Sequence, residues 1–217
     1  MEIPVYKTQG IILKKAELND TDRLLTIYTE KFGKILVRAR GIGKKESKLK
    51  CLIEPFNVYE FLLARSKNID VLANSYPIKE FLGLRQDLES LSLAIYFAEL
   101  VDKLIPAPES DAKIWMLLTR AMEAVDKFNS PQPSLKIREG ENTKSITPLK
   151  VRGGGGVMIT LDNIKPAFEE KLVEFLGHPN FSVRGKTTER EISHYLESLA
   201  GEEIRAVKFL RSLSLTS

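Results

Sequence analysis

The chain has one cysteine, Cys51, among 217 residues, and only two histidines and one tryptophan. A lone thiol allows no intrachain disulfide and no cysteine-based zinc site. His178 and His194 are badly spaced for a metal pair, so no metal or other cofactor is expected. No apolar run approaches the roughly 20 residues that a membrane-spanning helix needs. The opening MEIPVYKTQG lacks the apolar core of a secretory signal, so a cytoplasmic protein is expected. Phosphate-binding loops are missing as well. The run Gly153–Gly156 has no Gly-Lys-Ser/Thr ending and no apolar strand before it, so it reads as a hinge.

What remains is the composition of an ordinary globular protein, 43% hydrophobic and 29% charged, with one concentrated feature. Residues 31–50 hold Lys31, Lys34, Arg38, Arg40, Lys44, Lys45, Lys48 and Lys50 against Glu46 alone, while the whole chain carries only +4. The basicity is therefore local and calls for a local polyanionic partner.

Segments 10–13, 23–29, 35–40, 58–64 and 70–75 are short and rich in Ile, Val, Leu, Tyr and Thr, as strands are. Lys31-Phe32-Gly33-Lys34 suits a hairpin, and Pro55 and Pro77 are read as bounding the last strand pair. Five short strands favour a small closed barrel, with the OB-fold the leading candidate. After Pro77 the hydrophobic period becomes helical. One stripe is Leu88, Leu91, Ile95, Ala98, Val101 and Ile105, and a second is Ile114, Leu117, Leu118, Ala121, Met122 and Val125. Phe168, Leu172, Phe175 and Leu176 follow, with Pro166 near the first turn and Gly177 just past the end. Thr188 and Glu191 form a capping-box pair, Gly201 closes that helix, and Ile204, Val207 and Leu210 begin another. The expected fold is thus α+β: an OB-fold nucleic-acid-binding domain over 1–80, then a helical domain over 81–217. Residues 129–156 have few apolar side chains and no period, and read as a flexible linker within it.

Alternation along 34–40 puts Ile35, Val37 and Ala39 on one face and Lys34, Leu36, Arg38 and Arg40 on the other. Two arginines in register on a rigid strand tilt the reading from a solvated loop toward nucleic acid. The candidate DNA-binding set is Lys34, Arg38, Arg40, Lys44, Lys45, Lys48 and Lys50. Tyr28, Phe32 and Tyr59 are candidate stacking platforms. Arg205, Lys208 and Arg211 make a candidate second basic face, for a polyanion or an acidic peptide, although such faces are usually just solvated. Trp115 lies one position off its stripe and reads as a core edge. Glu17, Asp20 and Asp22 could hold a hard cation, but a turn with Asp22 pairing locally with Arg23 is the better reading.

These residues carry a family likeness. Gly10-Ile11-Ile12-Leu13, Asp22-Arg23-Leu24-Leu25-Thr26, Phe32-Gly33-Lys34, Arg38-Ala39-Arg40-Gly41, Ser47-Lys48-Leu49 and Glu54-Pro55-Phe56 resemble, in that order, the amino-terminal region of the bacterial recombination mediator RecO. LRQDLESLSLAIYFAELVDKLIP and EISHYLESLAGEEIRAVKFLRSL look similar too. The resemblance implies an OB-fold followed by helices, binding of single- and double-stranded DNA, strand annealing, and help in loading recombinase. It implies as partners the single-stranded-DNA-binding protein, through its acidic tail, and RecR, with no membrane and no catalytic residues. The departure is the four-cysteine zinc module many of these proteins carry: here Phe181 runs to Thr188 without it. A non-catalytic adaptor working through the helices, and a metal-dependent nuclease using Glu17, Asp20 and Asp22, are the competing readings.

Overall fold

The computed structural model describes residues 4–43, 53–129, 161–178, 189–201, 204–207 and 210. Five strands, β1 (Val5–Glu17), β2 (Arg23–Thr29), β3 (Gly33–Ala39), β4 (Val58–Ala64) and β5 (Asp70–Lys79), close into a barrel in the order β1-β2-β3-β5-β4. Neighbours are antiparallel except β3 and β5, which run parallel. This is the five-stranded OB-fold, expected from the strand count and spacing. Among the described residues the helices that follow include α1 (Leu88–Leu104), α2 (Ala112–Asn129), α3 (Leu161–Phe175) and α4 (Glu189–Ala200). A short 3-10 turn, Leu82–Arg85, leads into α1. Among the described residues no helix is long and apolar enough to cross a membrane.

The barrel interior is filled by alternate residues: Ile12, Leu25, Ile27, Val37, Ala39, Tyr59, Phe61, Leu63 and Leu72, closed by Ile42 and Ile53. The opposite side of β1 and β2 faces the helices. Ile11, Leu13 and Tyr28, with Phe56 and Val58, join the same apolar cluster as Tyr96, Phe97, Leu100 and Val101 of α1. Barrel and helices thus share a core. Phe97 stacks on Phe168 of α3 at 4.3 Å, and Leu118, Met122 and Val125 of α2 complete the packing. Trp115 packs partly buried at its edge, as its position off the stripe suggested.

Several local expectations need correction. Strand β1 is far longer than 10–13, because its first half pairs with β4 and its second half with β2. Pro77 does not end β5 but sits within it, opposite Tyr59 and beside a register shift. A proline lacks the N–H of a ladder, and an irregularity is where a sheet tolerates one. In α1, Leu88 and Ile95 are exposed although both belong to the stripe, while Leu93, Ala94, Tyr96 and Phe97 are buried. The helix touches the barrel on one side and other helices on the rest, so no single stripe describes it. Pro166 is the sixth residue of α3, beyond its first turn. The α2 stripe holds, and α3 ends on Gly177 at φ 88, where the His178 N–H donates to the Val173 carbonyl. Gly201, at φ 64, follows α4, and Ile204 and Val207 are buried. Thr188 and the expected linker beyond Asn129 lie outside the described residues.

The α1 N-terminus is capped by Asp87, whose carboxylate accepts from the Ser90 N–H at 2.9 Å. Asn129, ending α2, donates to Asp87 and, at 2.5 Å, to the Ser90 hydroxyl. Phe56 takes φ 72, unusual for a bulky residue. Its N–H donates to the Ile12 carbonyl at 2.9 Å and its ring is buried in the shared core, which holds the strained turn after Pro55.

Deep among α1, α3 and α4, Glu169 is fully buried. Its Oε1 accepts from the Tyr96 and Ser193 hydroxyls and lies 3.1 Å from Lys165 Nζ, while Oε2 has no hydrogen-bond partner among the described residues. Burial pushes the carboxyl up from its ordinary value; Lys165 and the hydrogen bonds pull it only part of the way back.

Two predictions follow from packing and charge. Gly33 has φ 64, and a Cβ there would collide with the Glu109 carbonyl; Gly41 has φ 66 and, among the described residues, nothing within 4 Å of such a Cβ. Gly41→Ala should cost about 1 kcal/mol for the left-handed backbone, and Gly33→Ala markedly more, read by urea unfolding. Equal losses would mean that the Glu109 approach is unimportant. For Glu169, the folded form holds its proton more tightly than the unfolded chain. The parent should therefore lose stability as pH rises above about 4.3, the free carboxyl's value. Glu169→Gln removes that term, so its stability relative to the parent should climb with pH between 4 and 8 in parallel unfolding curves.

Candidate nucleic-acid interface

Oligonucleotides meet OB-folds on the face of strands 2 and 3 and at the loops joining strands 1–2 and 4–5. On β3 the alternation expected from sequence is observed. Val37 and Ala39 are buried inside, Ile35 packs partly against them, and Leu36 is 49% exposed outside. Lys34 and Arg38 also face outward and are half-buried, and Arg40 is exposed.

Arg38 has a fixed partner. Its Nε and Nη2 donate to Asp22 Oδ2 at 2.9 and 2.6 Å. The other oxygen of Asp22 accepts the Gly41 N–H at 2.8 Å and the Thr21 hydroxyl at 3.2 Å. The Gly41 N–H and the Arg38 guanidinium, in that order, hold the Asp22 carboxyl well below the usual carboxylate range. The β1–β2 turn carrying Asp22 is itself tied. Asn19 Oδ1 accepts from the N–H groups of Thr21 and Asp22 at 3.0 and 2.7 Å, and the Gly43 N–H donates to the Thr21 carbonyl at 2.7 Å. The acidic turn therefore clamps the root of the basic stretch. The expected local contact of Asp22 with Arg23 forms only through the backbone: Arg23 donates to the Asp22 carbonyl at 3.1 Å and pairs with Glu17 at 3.0 Å, while the Asp22 carboxylate takes Arg38.

The other candidates separate. Lys34 turns toward α1, where its ammonium bonds the Asp102 carbonyl and lies 3.5 Å from its carboxylate. It joins barrel to helices. Tyr28 and Tyr59 are 0% and 1% exposed, so neither can stack on a base. Tyr28 is covered by the helices, its hydroxyl 3.3 Å from the Asp111 carbonyl, and Tyr59 points into the barrel. Phe32 is half-buried, edge-on to Tyr6 at 5.0 Å. Lys44, Lys45, Lys48 and Lys50 lie outside the described residues, as do Lys208 and Arg211. Arg205 is exposed at the far side of α1, where its backbone N–H donates to Glu99 at 3.0 Å.

Two exposed cations were missed: Arg65 and Lys67, on the loop joining β4 to β5. Arg65 lies over the Tyr6 ring at 5.0 Å. Asp70 accepts from the Tyr6 hydroxyl at 2.5 Å and from the Ser66 N–H at 2.9 Å, fixing the loop. Burial and Asp70 push the Tyr6 hydroxyl up to about 12. Nothing near residue 65 marks it in sequence, since only barrel closure brings it to Tyr6 and Phe32.

Residues 1–81 match the family model described as Recombination protein O N terminal. The DNA repair protein RecO of Desulforamulus reducens is 31% identical over 126 residues, which are 58% of this chain and 49% of that protein. That of Alkaliphilus metalliredigens is 31% identical over 173 residues, 80% and 58% respectively. That of Roseiflexus sp. is 35% identical over 122 residues, 56% and 43%. The chain spans about half the length of the curated relatives it matches.

The clamp makes a prediction. Because the Asp22 carboxyl is depressed in the folded form, its contribution is present above about 3.9, the free value, and fades as pH falls toward the folded one. Asp22→Asn should be less stable than the parent at pH 7, with the gap closing between pH 4 and 2. A gap that does not change with pH would mean that the carboxylate's charge is irrelevant to the turn.

Proposed function

We propose, for a chain that is RecO-like and carries the RecO amino-terminal domain over residues 1–81, a non-catalytic role in recombinational DNA repair as a DNA-binding, strand-annealing mediator. The observation that carries this reading is the outer face of β3. Leu36 and Arg38 stand in one row there, with exposed Arg40 in the turn just past the strand, between the two loops through which OB-folds hold oligonucleotides. Arg38 is oriented by Asp22 before any ligand arrives, and Arg65 and Lys67 rim the other loop.

The chemistry is electrostatic. Cations along β3 and in residues 44–50 neutralise phosphates, and release of condensed counterions drives binding. Neutralising two complementary strands together lowers their repulsion and lets base pairing proceed. Phosphate contacts carry no base information, so binding is indifferent to sequence. By family likeness, the single-stranded-DNA-binding protein and RecR are the partners, and loading of recombinase on single strands is the outcome.

The test is a salt titration with labelled single strands. Affinity should fall with a log–log slope of roughly −0.7 per phosphate neutralised. Arg40→Ala should flatten the slope by about one such unit and weaken all sequences alike. It is a cleaner variant than Arg38→Ala, which also strands Asp22. Replacing Lys44, Lys45, Lys48 and Lys50 with Gln should flatten the slope further and slow annealing. Unchanged slope and annealing in both variants would sink this reading and leave an adaptor acting through the helices.

A further inference from the structure

A cleft of about 420 Å³ lies between β1, α1 and residues 204–207. We propose that it is a nucleotide subsite that takes one unpaired base of a single strand, an inference that rests on the DNA-binding reading above. The volume falls within the roughly 300–1,000 Å³ of small-ligand sites. Leu13, Ile95 and Ala98 give it an apolar wall, and Lys14, Lys103 and Arg205 supply positive charge.

The cleft's two carboxylates are engaged. Glu99 accepts the backbone N–H groups of Arg205 and Ala206 at 3.0 and 2.9 Å and lies 3.5 Å from Lys103 Nζ. Asp102 pairs with Lys34. Lys14 and Arg205 are exposed, and among the described residues neither side chain meets a carboxylate. A phosphate at the mouth would meet Lys14 and Arg205 at exposed positions.

Register joins this cleft to the β3 face. Lys14 stands opposite Thr26, and Thr26 opposite Leu36, so the three form one row across the sheet. Lys34, two residues along from Leu36, is bonded to the Asp102 wall of the cleft. From Arg40 to Lys34 the strand runs about 20 Å. A phosphate backbone following Arg40, Arg38 and Leu36 is thus delivered to the cleft, where an apolar wall and a cationic mouth suit a base and its phosphate. A paired base would first have to leave its stack, so the site discriminates single strands from duplex. An acidic peptide would use the same cations, but the continuity with β3 favours the nucleotide.

The experiment compares the full chain with Ile95→Gln and Lys14→Gln, both exposed positions, after checking that their unfolding midpoints match the parent. Affinities are measured for a thymidine oligonucleotide, a fully abasic chain of equal length, and a duplex. The parent should prefer the thymidine chain over the abasic one severalfold, as expected for one base held against an apolar wall. Ile95→Gln should erase that preference and leave duplex binding unchanged; Lys14→Gln should weaken both single strands. No preference in the parent, or a preference that survives Ile95→Gln, would overturn the subsite. If Arg40→Ala still weakens every ligand in that case, the DNA-binding reading stands without it; if Arg40→Ala also has no effect, both fall. Binding of an acidic hexapeptide that Ile95→Gln abolishes, with base preference intact, would reassign the cleft to peptide and equally overturn it.

Discussion

Helix α1 is pressed against the barrel on one side and against α2, α3 and α4 on the others, and the rest of the molecule is arranged around that burial. Tyr96, Phe97, Leu100 and Val101 are fully buried, and Ile11, Leu13 and Tyr28 of the barrel belong to the same cluster. Each such side chain contributes on the order of 1.5–3 kcal/mol by leaving water, so separating barrel from helices would expose a large apolar area. Polar contacts then fix the angle of the seam. Lys34 reaches Asp102, the Ser110 hydroxyl donates to the Glu30 carbonyl at 3.1 Å, and Gly33 lets the Glu109 backbone approach the β2–β3 hairpin. Lys79 meets Glu123 of α2 at 2.6 Å on the other flank. Strand β3 is thus tied to the helices by side-chain contacts as well as by the shared core.

That same covering explains which parts of the fold were legible in sequence. Strands β2 and β4 were readable to the residue, because each is short, bounded by polar turns and rich in β-branched or aromatic residues. The α2 stripe was readable because that helix buries one face only. Legibility failed where an element is buried on more than one side. In α1 the stripe through Leu88 and Ile95 points partly to solvent, since Tyr96 and Phe97 on the other side are the deeper residues. In β1, Ile11, Ile12 and Leu13 are buried in succession on both faces of the sheet and the register shifts after Ile12, so alternation could not mark its length. Tyr28 failed as a stacking platform for the same reason: it faces outward from the barrel, as a platform must, and helices cover it.

The candidate site was legible in direction and not in partners. Period-2 alternation places Arg38 and Arg40 outside whatever else happens, because Val37 and Ala39 must fill the interior. What each cation does next depends on residues far along the chain. Lys34 and Asp102 are 68 positions apart, and Arg38 and Asp22 are 16 apart. No local pattern connects such pairs, and a count of charge treats them all alike. Of the three cations in residues 34–40, Lys34 is committed to the seam, Arg38 is oriented by a carboxylate, and Arg40 stands exposed in the turn after β3.

The Asp22 carboxylate looks counterproductive on a face proposed to meet phosphates, and its geometry resolves the difficulty. Both its oxygens are occupied, by the Arg38 guanidinium on one side and by the Gly41 N–H and Thr21 hydroxyl on the other. Its charge is largely offset at short range, and what it supplies is order. A free arginine must lose several rotatable bonds on meeting a phosphate, which costs affinity. Arg38 has that loss already behind it, with 39% of its side chain still open to solvent. The guanidinium presents five donors, and two nitrogens serving Asp22 leave others for a phosphate oxygen. Asp22 also holds the Gly41 N–H, so the same group that aims the arginine fixes the backbone of the turn that follows β3. One carboxylate thus couples the Arg38 guanidinium to the turn on either side of it, through Thr21 and through Gly41.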